Sequence, residues 1–446
     1  MDAKRLSRIG ESVPRYTSYP TAPHFHAGIG DTTVREWLGA VEPCEPVSLY
    51  LHIPFCDRLC WFCACHTKQI RRYEPVAQFL VALRDEIELV AAARSGLRVG
   101  AVHFGGGSPT MLRPDGLIDL DRSLRNAFDY SPGTSVCVEI DPNDMDEARL
   151  DALAAIGLTR ASLGIQDFEP RVQAAINREQ GFDVTSSVVE GLRRRGIGSV
   201  NFDLLYGLPH QTIESIAATV RLVLSLGPDR LALFGYAHVP WFKKHQTMID
   251  EAWLPGAEDR LAQSLVAADM IRQAGYVQIG LDHFAKPCDS LAVAAARGRL
   301  RRNFQGYTDD ACETLVGLGP SSVSRYAQGH AQNVHSTGEY RRLVAEGRLP
   351  VIRGVDLSAD DRVRGWVIER LMCDFGFDAQ EARTRFGPRA DPILATAATL
   401  SEIERLLERR GERFIVPDAE RVLVRTIAAR FDAYLPGGAA RHSVAV

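Results

Sequence analysis

The sequence predicts an α/β fold, a partial (β/α)6-type barrel of parallel strands with an N-terminal arm and a mainly helical C-terminal domain. Three observations predict it. Short β-rich runs alternate with amphipathic segments between residues 47 and 285. The runs are almost continuously apolar, as in parallel strands covered by helices on both faces. A polar or glycine position stands at or just past the end of nearly every run, where α/β barrels assemble their chemistry. An open doubly wound sheet shares the first two features; the third favours a barrel with one active-site mouth.

The elements follow in chain order. Residues 1–46 read as a loop-like arm with one helical piece, TTVREWLGAV (32–41). The barrel is expected over 47–300, with strands SLYLHI (48–53), AVHFGG (101–106), SVCVEI (135–140), RASLGI (160–165), SVNFDLLYG (199–207), RLALFGYA (230–237) and VQIGLDHF (277–284). Between them, VAQFLVALRDEIELVAAA, DEARLDALAAIG and DVTSSVVEGLRRRG repeat apolar residues at three- and four-residue steps, often with Gly at the C-terminal end, and read as helices. The polar strand ends are Cys56, Gly105 to Gly107, Glu139, Gln166, Asp203, His238 and Asp282. Residues 301–446 read as a helical domain, with helices in EYRRLVAEGRL, DDRVRGWVIERLMC, AATLSEIERLLERRG and VLVRTIAARFDAYL and one strand in RFIVP.

Composition narrows the function classes. A chain of 446 residues, 46% hydrophobic and 24% charged, has the make-up of a soluble globular protein of two or three domains. A net charge of -4 offers no basic footprint, so neither nucleic acid nor a membrane surface is an expected partner. The opening MDAKRLSRIGESVPRYTSYP lacks an apolar signal core and no run is long enough to cross a bilayer, which predicts a cytoplasmic protein. Thiols stay reduced there, so clustered cysteines read as metal ligands rather than disulfides.

Four of the nine cysteines fall in CDRLCWFCAC (56–65), a C-x3-C-x2-C-x-C pattern. Zinc sites use C-x2-C pairs or widely separated pairs, which this loop lacks. Three thiolates from one loop can hold three irons of a [4Fe-4S] cube and leave the fourth open. Cys65 is out of register with Cys63 and reads as a non-ligand near the substrate, a structural thiol or an alternate ligand. Cys44, Cys137, Cys288, Cys312 and Cys373 are scattered and read as inert small apolar residues. The Gly105-Gly106-Gly107 turn lets a backbone approach a ligand closely, or is simply a tight turn.

The cysteine triplet after a first barrel strand resembles the radical S-adenosylmethionine superfamily. PRYTSYPTA (14–22), YLHIPFC (50–56), GGGSPT (105–110), VEIDP (138–142), LGIQDF (163–168), NREQ (177–180), DLLYGLPHQT (203–212), YAHVP (236–240), DHFAKP (282–287) and RNFQGYT (302–308) resemble, within it, the oxygen-independent coproporphyrinogen III oxidases, or coproporphyrinogen dehydrogenases. The related haem chaperones share the cluster loop but normally lack Cys65, the PRYTSYP arm and RNFQGYT; a chaperone is the alternative reading.

The resemblance implies one [4Fe-4S] cluster on Cys56, Cys60 and Cys63 and two S-adenosylmethionine molecules. Tyr50, Gly106, Glu139 and Val323 match contacts to the cluster-bound molecule. Phe62, Gly107, Ser108, Gln166, Arg178, Asp203 and Ala237 match contacts to the second. Ser108 stands where Thr is common, and Val323 where Ile is seen. The residue types suit the ligand: carboxylates for an ammonium or ribose, Arg178 for a carboxylate, aromatic rings for adenine or a sulfonium. Singly, Asp203 reads equally as an N-cap, Arg178 as a surface ion pair and Glu139 as a satisfied buried carboxylate.

The implied substrate is coproporphyrinogen III, two of whose four propionates become vinyl groups with loss of CO2, through a 5'-deoxyadenosyl radical. Arg15 in the arm and Cys65 are the expected substrate-side catalytic residues, with Tyr16, Tyr19, His52 and His283 as further candidates; His52 also reads as a core histidine. An external reductant such as flavodoxin or ferredoxin, and a monomeric state, complete the expectations.

Overall fold

The structure, a computed structural model, describes residues 12–435; the remaining parts of the expected arm and C-terminal domain lie outside the described residues. Six parallel strands stand where the apolar runs place them: β1 (Val47–Ile53), β2 (Arg98–Gly106), β3 (Asp129–Ile140), β4 (Arg160–Gln166), β5 (Ser199–Tyr206) and β6 (Arg230–Gly235). Each pairs with the next in sequence. Helices α1 (Glu74–Ala93), α2 (Pro114–Ala127), α3 (Glu147–Ala155), α4 (Phe182–Arg194) and α5 (Ile213–Ser225) make the crossovers, and α6 (Ala257–Gln273) follows β6. Crossovers of this kind cover a parallel sheet, which is why β1 is buried along nearly its whole length. Helix ends follow local chemistry: Thr212 and Ser215 form a capping box on α5, and Gly196, at φ +78°, turns the chain after α4.

Three expectations differ in the structure. VQIGLDHF is a turn between β7 (Val277–Ile279) and β8 (His283–Ala285), which pair antiparallel with each other, while β8 runs antiparallel to β6. Gly280, at φ +55°, begins that reversal. The sheet also runs past residue 300. β9 (Thr314–Leu318) adds in parallel to the free edge of β1, and β10 (Val323–Arg325), β11 (Gly329–Asn333) and β12 (Val351–Asp356) continue antiparallel. The order is β12-β11-β10-β9-β1-β2-β3-β4-β5-β6-β8-β7, so the barrel is partial, with β12 and β7 as its two edges. Lastly, AATLSEIERLLERRG stays helical only to Glu402. Arg405 takes φ +57°, Leu406 and Leu407 bury, and Glu408–Arg410 pairs with Arg413–Ile415.

Two cores result. The larger lies between the sheet and its crossover helices. The second is built on the helix Ala359–Asp374 with Ile393, Phe414, Ile427 and Phe431, and it takes in Val13, Tyr16 and Tyr19 of the arm. The first part of the arm therefore belongs to the packing of the C-terminal unit, whereas Ile29, Val34, Trp37, Leu38 and Val41 pack into the larger core. Among the described residues no helix is long and apolar enough to cross a membrane.

Candidate active site

β1 ends at Ile53 and delivers the cysteine loop to the sheet's C-terminal rim. Phe55–Cys56 pairs with Lys68–Gln69, clipping the loop's ends together, while the Phe55 ring buries against Phe79. Two segments grip the loop between them. On one side Trp61 N–H donates to Ile176 and Asn177 Nδ2 to the Leu59 carbonyl. On the other, Lys243 Nζ donates to Cys65 O at 2.9 Å and Gln246 Nε2 to Phe62 O at 2.9 Å, and His245 Nε2 lies 2.7 Å from Cys63 O.

Cys56, Cys60, Cys63 and Cys65 line one cavity of about 690 Å³, and all nine cysteines are free thiols. Burial pushes the Cys56 thiol up to about 12 and also raises Cys60, so neither ionises readily at neutral pH unless a cation arrives. Cys63 moves the other way, to about 7, because the Cys65 thiol and backbone N–H donate to it. A trio of thiols on one clipped loop, Cys60 buried and Cys56 and Cys63 half-buried, open to a cavity, fits an iron–sulfur cluster that supplies the missing positive charge.

The glycine turn is close-packed. Gly106 sits at φ +111°, and a Cβ there would come within 2.7 Å of the His52 ring. A Cβ on Gly107 would lie 2.6 Å from Phe55 O, since Gly107 N–H and Ser108 N–H donate to Ile53 and Phe55 carbonyls. Part of the demand for glycine thus comes from β1 itself. Ser108 Oγ donates to Asp144 at 2.6 Å.

Glu139 Oε2 accepts from Gly106 N–H, and Oε1 lies 3.1 Å from His103 Nε2. Burial drives its carboxyl upward, but the His103 hydrogen bond and charge and the Gly106 N–H outweigh it, and the net shift is downward. Asp203 accepts from Ser162 Oγ and Asn201 Nδ2; burial dominates there and raises it. Arg178 donates to Asp141 at 2.9 Å, to Gly164 O at 2.7 Å and to Cys60 Sγ at 3.5 Å, while its buried Nε reaches no partner among the described residues. Gln166 holds φ +67° at the end of β4, a strained position for a residue with a side chain.

Phe62, Gly106, Gly107, Ser108, Glu139, Gln166, Arg178, Asp203 and Ala237 all line the cavity that holds the four cysteines, as does Arg15. Tyr50 and Val323 lie beside it rather than on its lining. Tyr50 pairs with Gly317, whose missing Cβ leaves room for the Val323 carbonyl. The Tyr50 hydroxyl lies 3.2 Å from His52 Nδ1. His52, buried and 2.8 Å from the His66 carbonyl, is a core histidine. Tyr16 donates to Asp432 and Tyr19 accepts from Ala433 N–H, so both pin the arm and neither reaches the cavity. His283 does line it, held by Asp282 at 2.7 Å. His238 bonds Glu251 and faces a neighbouring cavity.

Sequence reasoning missed His103 and Asp141, and read Cys137 as inert. All three line the cavity, and His103 pulls the Cys137 thiol down against its burial. The available signal was alternation: His103 shares the inward face of β2 with Gly105, and Cys137 that of β3 with Glu139.

Arg15 Nη2 donates to Gly235 O at 3.1 Å, across the mouth. Its own carbonyl accepts from Arg302, and Arg425 donates to the carbonyls of Val13 and Pro14. The arm is thus laid over the rim and tied down by backbone contacts.

The Radical SAM superfamily model matches residues 50–223, and the HemN C-terminal domain model matches residues 357–423. The chain is 46% identical to the oxygen-independent coproporphyrinogen III oxidase of Bradyrhizobium diazoefficiens over 439 residues, covering 98% of each chain. It is 45% identical to that of Paracoccus denitrificans over 445 residues, covering 99% of this chain and 98% of the relative. Among solved structures it is similar to coproporphyrinogen III oxidase (HemN) from Escherichia coli, a radical SAM enzyme, with TM-score 0.90 and 36% identity, covering 95% of this chain and 100% of that one.

Proposed function

This chain belongs to the family of oxygen-independent coproporphyrinogen III oxidases within the radical SAM superfamily, and from that premise we propose that it oxidatively decarboxylates two propionates of coproporphyrinogen III to vinyl groups, giving protoporphyrinogen IX in haem biosynthesis. The observation that carries the reading is one cavity joining three thiols of a single loop to Glu139, Asp203 and Arg178, roofed by the Arg15 arm. When bound, the [4Fe-4S] cluster and S-adenosylmethionine supply one-electron chemistry strong enough to remove a hydrogen atom from an unactivated carbon.

Cys56, Cys60 and Cys63 would hold the cluster, and Arg178 donates to Cys60 while its Nε, without a partner among the described residues, would serve a ligand carboxylate. Glu139, oriented by Gly106 and His103, would accept from the ammonium of the first S-adenosylmethionine, with Tyr50 and Val323 nearby. Asp203, fixed by Ser162 and Asn201, accepts from the second molecule, which Phe62, Gly107, Ser108, Gln166 and Ala237 enclose. Cys65 and Arg15 face the substrate. Each propionate gives up a β-hydrogen atom to the radical chemistry, then CO2 and one electron that an external one-electron acceptor takes up, and the pinned arm excludes water and quenchers meanwhile. An external flavodoxin- or ferredoxin-type reductant, a monomer and a cytoplasmic setting belong to the same proposal. No observation favours a haem chaperone.

The test is anaerobic reconstitution with iron and sulfide, then incubation with coproporphyrinogen III, S-adenosylmethionine and dithionite. Protoporphyrinogen and 5'-deoxyadenosine are the expected products; retained haem with no tetrapyrrole product would overturn the reading.

A further inference from the structure

A second cavity of about 690 Å³ opens between the end of β6, helix α6 and the C-terminal unit, and shares Arg15 and the segment 234–237 with the first. Six arginines line it: Arg15, Arg260, Arg272, Arg302, Arg421 and Arg425. Its two lining carboxylates are engaged, Asp282 by His283 and Asp418 by Arg421. Arg302 stacks on Tyr307, and its buried Nε and Nη1 reach no partner among the described residues. Burial pushes Arg425 down to about 9, with the charges of Arg15 and Arg302 adding to the effect. Between the arginines the wall is apolar, with Phe234, Leu261, Leu281 and Phe375.

Arg15, Arg272 and Arg421 are exposed and the last two are ion-paired, but Arg260, Arg302 and Arg425 are drawn inward, where like charges repel one another and an arriving anion relieves that cost. The convergence therefore describes a ligand: a broad apolar body with several carboxylates. On the reading that this chain acts on coproporphyrinogen III, the reacting β-carbon must sit in the cysteine-lined cavity. The opposite rim of the macrocycle must then lie in an adjoining space. We propose that this second cavity seats the substrate half bearing the two propionates that are not decarboxylated, with Arg260 and Arg302 as their anchors and Arg15 at the junction. No cysteine lines the second cavity, so carboxylates held there stay away from the radical chemistry. They also persist in the product of the first decarboxylation, so both steps use the same anchors.

Trp241 lines this cavity and reports on its occupancy by fluorescence. The probes are coproporphyrin III, a stable tetracarboxylate, and its uncharged tetramethyl ester. Loss of one charge-assisted contact predicts about tenfold weaker binding of the tetra-acid to Arg302→Gln and to Arg260→Gln, with ester binding unchanged. Arg302→Lys, which keeps the charge, should recover part of the loss. Iron content checks that each variant is folded, and the two positions guard against one failing. Tetra-acid affinity equal to the parent in both Gln variants, or equal losses for acid and ester, would overturn the assignment. If the parent converts coproporphyrinogen III in that case, the enzymatic reading stands while this one falls. A parent that neither binds nor converts would sink both.

Discussion

Glu139→Gln separates charge from shape at the centre of the site. The carboxylate accepts from two donors, Gly106 N–H and His103 Nε2, each at 3.1 Å. Burial works to lower His103, yet Cys137 and Glu139 outweigh it and raise it, which favours the protonated ring beside the carboxylate. The amide keeps the volume but turns one acceptor into a donor. Its NH2 group must then face either the Gly106 N–H or His103, which has to give up its Nε2 proton. That conflict exists with or without ligand, so it lowers stability by roughly 1–3 kcal/mol and leaves affinity alone. The affinity loss comes from the ammonium contact. A charge-assisted bond of roughly 1.5–3 kcal/mol becomes a neutral one of roughly 0.5–1.5, a difference near 1.4 kcal/mol, or about tenfold. The assay is 5'-deoxyadenosine formation against S-adenosylmethionine concentration, anaerobic, with dithionite, beside iron content and thermal midpoint. The KM should rise about tenfold with iron retained and the midpoint lowered. A KM within twofold of the parent at full iron content would refute the placement of Glu139 against the ammonium.

Three further outcomes are expected. Ser in place of Cys56, Cys60 or Cys63 should abolish the iron–sulfur absorbance, whereas Cys65→Ser should keep it and lose protoporphyrinogen, read by spectroscopy and product yield together. Arg15→Ala should raise the substrate KM about tenfold while leaving the arm in place, because the arm is held through the carbonyls of Val13, Pro14 and Arg15; limited proteolysis of the arm checks the second half. Glu86, fully enclosed under Tyr340, Asn333 and Gly319 N–H, has its carboxyl pushed up to about 7 by burial. Its folded value lies above the unfolded one, so its contribution is fully present below about 4.5 and falls away as pH rises through about 7, by on the order of 3 kcal/mol. Thermal midpoints across that window should drop in the parent, and much less in Glu86→Gln.

The six parallel strands were legible because burial on both faces leaves a continuous apolar run, a signal that needs no tertiary information. The meeting of the four loop cysteines in one cavity was legible for another reason: thiols spaced a few residues apart on one loop come together whatever the rest of the fold does. The sheet's extension through β12 was not. Gly329–Asn333, sequence GHAQN, is buried at every residue yet carries no apolar pattern, since neighbouring strands and the arm bury it. In AATLSEIERLLERRG, helical propensity gave way to the burial of Leu406 and Leu407 in the second core. Tyr50 and Val323 carry no local mark of a role; only family likeness singled them out. The arginine cavity is the clearest limit. Positions 15, 260, 302 and 425 come from four distant segments, and no window of sequence contains their meeting.

The stitching of the arm has a consequence for how the protein comes into being. Tyr16 meets Asp432 across 416 positions, and Arg425 meets Val13 across 412. Segments made first on the ribosome therefore wait for those made last. The barrel can form and its cysteine loop can be clipped while the roof still hangs loose. Only when the last described helix, Val424–Ala429, folds against the helix Ala359–Asp374 do Val13, Pro14 and Tyr16 of the arm find Arg425 and Asp432. A chain interrupted before residue 424 therefore keeps the arm's contacts to Gly235 and Arg302 but loses those to Arg425 and Asp432 that pin Val13, Pro14 and Tyr16.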